Sequence, residues 1–422
     1  MPKTTSLYVL LFSLYWAQGL PVGFMTHALP VILRAQGVSL THIGGFGLLM
    51  APWALKILWA PWVDGYGSRH WGHYRSWIIP TQLLTVLILI LLSFLPIAAL
   101  NEPLYLLLFF IALLSMNTVG ATQDIGTDGL AVNILKGEQQ HIGNMFQVVG
   151  SRLGFIFGGG AILWALDWLN WQSTFLILSL LVALNTLPIL YYREPVHTTQ
   201  NTAQSLPKQQ PARLSWRQMR RYLAYFFQQP QLRYWFVILC TVKITDGLSG
   251  PLLKPLMVDL GLSLSQIGIY VTMLGAGAAL IGAGLAGWSL KYLSRPNALL
   301  LFSLLKLLSL LGFAWIATFI KTPDNLALSW LYLVNALEDM FSAMLLVVVL
   351  TLVMQYSRKQ MAATDFTFQV ALMAMIGGGL YSLSGILGDW LGYSSYLLLI
   401  TVLGAILLLP IYFWRRYYSH EL

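Results

Sequence analysis

Ten of the chain's 24 basic and 15 acidic side chains fall inside stretches otherwise apolar enough to cross a bilayer. They are Asp124, Asp128, Asp246, Glu338 and Asp339 against Lys56, Arg152, Lys243, Lys254 and Lys306. A charge at the bilayer centre costs roughly 3 kcal/mol on an insertion scale, so ten left bare would cost on the order of 30 kcal/mol. They must pair or line water, and an interior built from both signs is the mark of a protein that handles something passing through it. Asp124 and Asp128 are four residues apart and stack on one helix face, where like charges disfavour simultaneous ionisation. A carboxyl so placed can carry a proton; alternatively Asp124 pairs with Arg152 and Asp128 meets the cytoplasmic interface. Glu338 and Asp339 are adjacent, about 100° apart around a helix, so one faces the polar interior, here expected to be Glu338, while the other braces. Lys243 and Lys254 share a face, with Asp246 one turn along from Lys243. Gly247, Gly250, Pro251 and Pro255 interrupt that helix, and Lys254 can instead reach the periplasmic surface.

The first apolar stretch adds Tyr15, Trp16, Gln18 and His27 around Pro21 and Gly23, and Gln123 stands beside Asp124. Aromatic and amide groups suit a bulky, partly aromatic ligand, and equally suit packing inside a membrane helix. Lys56 either stretches toward the cytoplasm or forms a gating pair with Asp64. Enzyme chemistry needs a nucleophile and base, or a metal, within reach of one another. The chain has no His-rich helix, no pair of His at spacing four and one isolated Cys240, so neither enzyme nor metal or other cofactor is expected. It has no Walker motif and hence no ATPase of its own.

The elements that must position these residues follow from composition. With 57% hydrophobic and 9% charged residues and a mean hydropathy of +0.70, this is an all-α polytopic membrane protein. Twelve runs are long enough to span, at residues 7–33, 43–63, 77–100, 103–134, 142–166, 174–191, 234–258, 267–290, 298–320, 326–355, 366–387 and 395–414. The first lacks a small-residue cleavage site and reads as an uncleaved helix. Loop Lys and Arg gather on one side, placing both termini and the long linker in the cytoplasm, with Arg34 and Lys321 opposite. The net charge of +9 expresses this bias, and nucleic acid is not an expected partner.

Composition turns abruptly polar between the two groups of six spans. The expected organisation is an N-terminal bundle at 1–192, a cytoplasmic linker at 193–233 and a C-terminal bundle at 234–422. In the linker, Trp216, Met219, Tyr222 and Leu223 interleave with Arg217, Arg220 and Arg221, as in a basic helix lying on an anionic leaflet. The halves also echo each other. Residues 37–46 (GVSLTHIGGF) match residues 261–270 (GLSLSQIGIY) at five of ten positions, and Phe146-Gln-Val148 matches Phe368-Gln-Val370. Two pseudo-symmetric six-helix bundles in parallel are the arrangement of the major facilitator fold.

Ala60-Pro-Trp-Val-Asp64-Gly-Tyr-Gly67-Ser-Arg69 is similar to that superfamily's G-x-x-x-D-R-x-G-R-R loop, matching at Asp64, Gly67 and Arg69. The resemblance implies that Asp64 latches the cytoplasmic side through helix-end contacts and a nearby Arg; the corresponding residues 284–288 have lost the acid. The segment 55–64 and Ala121-Thr-Gln123-Asp124-Ile-Gly-Thr-Asp128-Gly129 resemble the AmpG-related branch, which includes muropeptide permeases and RhtX/FptX-type siderophore importers. The run Thr127 to Val132 and the lack of extra C-terminal helices lean toward the latter. The resemblance implies a monomeric secondary transporter of the bacterial inner membrane that imports a ferric siderophore by alternating access with protons, the alternative being a muropeptide permease. In that fold the first and fourth helices of each half line the path, and all five acids lie on such helices. Lys306 alone stands on a nominally outer one. Substrate or proton contacts are accordingly expected at Asp124, Asp128, Arg152, Lys243, Asp246, Glu338, Asp339, Tyr15, Gln18 and Gln123, and gating at Lys56, Asp64, Gly67 and Arg69.

Overall fold

The computed structural model describes residues 4–29, 32–33, 46–68, 70–96, 100, 102–162, 165–166, 169–194, 224–262, 266–319 and 325–418. The basic segment around Trp216 to Leu223, Arg34, Lys321 and the first copy of the internal echo up to Gly45 lie outside them, as does the side chain of His27.

Two compact units emerge. The first comprises Met1–Gln139, Phe146–Ser215 and Ser357–Thr367, and the second Gln140–Met145, Trp216–Tyr356 and Phe368–Leu422. Two short segments thus fall on the other side of the boundaries expected from composition.

In the first unit, α1 (Thr4–Gly23) runs on into a π-helical turn at Phe24–Ala28. Next come α2 (Ala51–Leu55), a 3₁₀ turn at Lys56–Leu58 and α3 (Ala60–Gly65). Then follow α4 (Arg75–Ser93), α5 (Pro103–Ile134), most of α6 (Gln139–Phe155, of which Gln140–Met145 belong to the second unit) and α7 (Trp171–Tyr191). The second unit holds α8 (Pro230–Thr241), α9 (Ile244–Asp259), α10 (Leu274–Ser289), α11 (Arg295–Ile316) and α12 (Asn325–Gln355). Most of α13 (Ala362–Leu391), then α14 (Tyr393–Ile406) and α15 (Leu409–Trp414), complete it.

Ten helices among the described residues are long and apolar enough to span, against twelve expected. The two shortfalls have physical causes. In the second run Pro52 and Pro61 each remove a backbone donor, so the chain makes a short apolar stretch, Leu48–Leu58, and a separate turn of helix. The fifth, α6, carries Gln139, Gln140, His141, Asn144, Gln147 and Arg152 and is too polar to register by hydropathy alone.

Local chemistry explains how the first unit closes. Asn170 caps α7 by accepting the Ser173 amide at 2.8 Å. Arg75, at the start of α4, donates to the Ile189 and Leu190 carbonyls at the end of α7, at 2.9 and 2.8 Å. Glu194, just past α7, accepts the Tyr74 and Arg75 amides at 3.0 and 3.1 Å. Each helix end is thus satisfied by the other's ionised side chain. The core between α1, α5 and α7 is apolar, with Phe24, Phe109, Leu113 and Phe175 fully buried.

Glycine sets one distance that matters for the site. Gly19 of α1 and Gly154 of α6 come so close that a Cβ on either would meet main-chain atoms of the other helix, and α1 packs against α5 as well. Gly154→Leu should therefore cost roughly 1–3 kcal/mol, toward the upper end because the obstructing atoms are main chain and cannot rotate aside. A lower unfolding temperature of the purified protein is the expected result.

Candidate functional site

Among the described residues, each unit encloses a cluster in which charged side chains from different segments meet. In the first, α5 presents Asp124 and Asp128 to the interior, 6% and 2% exposed. Asp124 is ion-paired with Lys56 and accepts a hydrogen bond from the Gln18 amide. Tyr15 donates its hydroxyl to Asp128 at 2.7 Å, and the Gln147 amide reaches the same oxygen at 3.4 Å. Lys56 is 4% exposed and lies 5.4 Å from the Trp53 ring.

Lys56 reaches Asp124 because the broken second run is stapled to α5 on either side of it. Trp53 donates to Asn117 at 2.9 Å, Asn117 donates to the Leu49 carbonyl, and Trp59 donates to Thr122 at 3.1 Å. Between those staples the 3₁₀ turn aims the ammonium at the helix. This corrects two expectations: Asp124 pairs with Lys56 and not with Arg152, and Lys56 neither stretches toward the cytoplasm nor pairs with Asp64. Gln123 is buried but donates to the Leu14 carbonyl at 3.4 Å, so it ties α1 to α5 and is turned away from the carboxylates.

In the second unit a brief interruption at Val242 and Lys243 separates α8 from α9. Lys243 pairs with Asp246 at 2.7 Å. Lys306 of α11 pairs with the other oxygen of Asp246 and lies 3.5 Å from Glu338 of α12, which also accepts from Ser342 at 2.8 Å. Asp339 diverges from Glu338 as adjacent residues on a helix must. Its carboxylate abuts Gly275 and accepts from Asn335 at 3.3 Å, and Asn335 also donates to the Val271 carbonyl. Asp339 therefore braces α10 against α12, outside the cluster.

Lys306 is the group that sequence reasoning left out of the site. Its nominally outer helix argues against such a place, yet it is 5% exposed and touches both carboxylates. A signal existed: Ser303, Lys306 and Ser309 recur every third residue on a helix of Leu and Phe, and all three are buried. That is a polar stripe.

Asp64 marks a third place. Its carboxylate accepts the Ala363 and Thr364 amides at 3.1 and 2.7 Å, the Thr364 hydroxyl at 2.6 Å and the Tyr74 hydroxyl at 2.7 Å, all within the first unit. It thus caps the start of α13 from a distant position in the chain. Gly67 leaves room for the His73 ring, whose Nε2 meets the Val63 carbonyl at 2.9 Å. Arg69 lies outside the described residues, as does the side chain of Lys254.

Burial raises the Asp64 carboxyl above its ordinary range, while hydrogen bonds from Thr364, Tyr74 and Ala363 pull it down. The folded protein then holds this proton more tightly than the unfolded chain does. Between the ordinary and the raised value, Asp64's contribution to stability falls as pH rises. Asp64→Ala should flatten that slope and, by uncapping α13, cost about 0.5–2 kcal/mol at neutral pH. Unfolding temperatures of wild type and variant between about pH 4 and about pH 7 check both effects.

The helical frame that carries these clusters is shared with known transporters. It matches the human organic anion transporter MFSD10 (TETRAN) with a TM-score of 0.71 at 16% identity, covering 98% of this chain and 100% of that one. It also matches the Escherichia coli fucose:proton symporter FucP, with a TM-score of 0.66 at 17% identity over 96% and 98% of the two chains. The chain has the major facilitator fold. In sequence it is 27% identical over 386 residues to the anhydromuropeptide permease of Escherichia coli K12, covering 89% of this chain and 72% of that protein. Residues 7–167 match the family described as Acetyl-coenzyme A transporter 1. The chain is thus similar in fold to transporters of the major facilitator type and in sequence to AmpG-type permeases. Between the two solutes expected from the sequence, this kinship favours the muropeptide alternative over the siderophore.

Proposed function

We propose that this protein imports anhydromuropeptide-type solutes across the bacterial inner membrane by alternating access, as a monomer driven by protons, with both termini in the cytoplasm. The solute class is supported by similarity to a named permease along most of both chains. Proton coupling is supported by one observation, the charge count of the first cluster. A single ammonium, Lys56, stands against two stacked carboxylates, Asp124 and Asp128, all nearly excluded from solvent. One proton brings that cluster to neutrality, and its arrival and departure change the net charge that must be buried as the carrier cycles. Asp128 is its seat, because Asp124 already has Lys56 while the donors to Asp128 among the described residues, Tyr15 and Gln147, are neutral. Asp64 serves as the latch on the start of α13.

The siderophore reading drew on residues 127–132. Those side chains are buried, and Gly129 is pressed against Tyr74 and Ala363, which accounts for much of that run by packing without a solute.

The test is uptake of a labelled anhydromuropeptide into proteoliposomes with and without an inward proton gradient. Accumulation that depends on the gradient in wild type and is lost in Asp128→Asn, with equilibrium exchange retained, is the expected result. Uptake indifferent to the gradient would remove the coupling, and uptake of a ferric siderophore in place of the muropeptide would remove the solute class.

A further inference from the structure

The two clusters differ in charge, and the difference points to a division of labour. The second cluster holds Lys243 and Lys306 against Asp246 and Glu338, so it is neutral without any proton. Its two lysines are not alike. The Lys306 side chain is 6% exposed and lies between both carboxylates, whereas the Lys243 side chain is 32% exposed and, among the described residues, ion-pairs with Asp246 alone. Asp246 is therefore doubly held, one oxygen by each lysine.

That redundancy has a consequence. If Lys243 swings away, Asp246 keeps Lys306 and no carboxylate is stranded in a buried site, an event that would otherwise be strongly unfavourable. An ammonium carries three donors, and the bond to Asp246 uses one of them. We propose that Lys243 is the anion subsite of the transporter: it receives a free carboxylate of the solute, while Lys306 is a positioning residue that keeps Asp246 and Glu338 compensated during the exchange. The inference rests on the solute class proposed above, since a peptide-bearing sugar offers a terminal carboxylate. It adds that this charged group, and not the sugar alone, is recognised, in the second unit, apart from the proton site in the first.

The experiment measures binding of two probes to the purified full chain: an anhydromuropeptide, and the same molecule with its carboxyl groups converted to primary amides. Wild type should prefer the acid by roughly tenfold, the value of one charge-assisted hydrogen bond at a partly exposed site. Lys243→Gln should bind both forms about as wild type binds the amide, and Lys243→Arg should restore the preference. Unfolding temperatures of the variants establish that each is folded, and Lys243→Arg carries the test if Lys243→Gln is not. Equal affinity of wild type for acid and amide, or a preference that persists in Lys243→Gln or is absent from folded Lys243→Arg, overturns the subsite and leaves the solute class standing. Wild type that binds neither probe overturns the solute class, and the subsite with it.

Discussion

Lys56→Met is expected to destabilise the protein by about 3–5 kcal/mol, the cost of removing one partner from a buried ion pair. Asp124 is 6% exposed and among the described residues retains the Gln18 amide once the ammonium is gone, with a second carboxylate one helical turn away. Hydration cannot make good the loss at so little exposure. The double variant Lys56→Met/Asp124→Asn should recover most of the stability, because it deletes the pair together and leaves no bare charge. The unfolding temperatures of wild type, both single variants and the double variant form the cycle. Additive single effects would show that Lys56 and Asp124 do not depend on each other. Uptake is a separate readout: the double variant should be stable and still slow, since Lys56 also acts on Asp128 electrostatically and sets the charge on which proton loading depends.

These residues show what a sequence can and cannot tell about such a site. Asp124 and Asp128 are legible as a stacked pair, because an apolar run of that length is a helix and four residues are one turn. The divergence of Glu338 and Asp339 is legible for the same reason. What spacing cannot supply is the partner across the bundle. Lys56 sits in a run whose prolines break the helix, so helical periodicity gives no direction for its side chain; the direction comes from the Trp53 and Trp59 staples, which are contacts between segments more than 60 positions apart. The Asp64 cap is partly legible, since an acid in a loop that resembles the superfamily's G-x-x-x-D-R-x-G-R-R motif invites a helix N-terminus, but that the recipient is α13, 299 residues on, is purely tertiary. Lys306 exposes the opposite error. An average property of a helix in a fold, its outward position, was allowed to overrule the chemistry of one residue, whereas a lysine flanked at spacing three by two serines on an apolar helix has to find an anion on its inner face.

That residue carries the remaining large effect. Lys306→Met should cost about 3–5 kcal/mol as well, by removing the cation that Asp246 and Glu338 share. Its rescue should differ from that of Lys56 in an informative way. Asp246 keeps Lys243 at 2.7 Å, so the carboxylate left without a cation is Glu338, which among the described residues retains the Ser342 hydroxyl. Lys306→Met/Glu338→Gln should therefore regain most of the stability, and Lys306→Met/Asp246→Asn much less, because the second double variant leaves Glu338 bare and frees Lys243 from its only carboxylate. Equal recovery by the two doubles would mean that the four charges rearrange freely once Lys306 is lost. The order predicted here requires instead that, without solute, Lys243 stay with Asp246 three residues on, so that among the described residues Lys306 joins α9, α11 and α12 through charge.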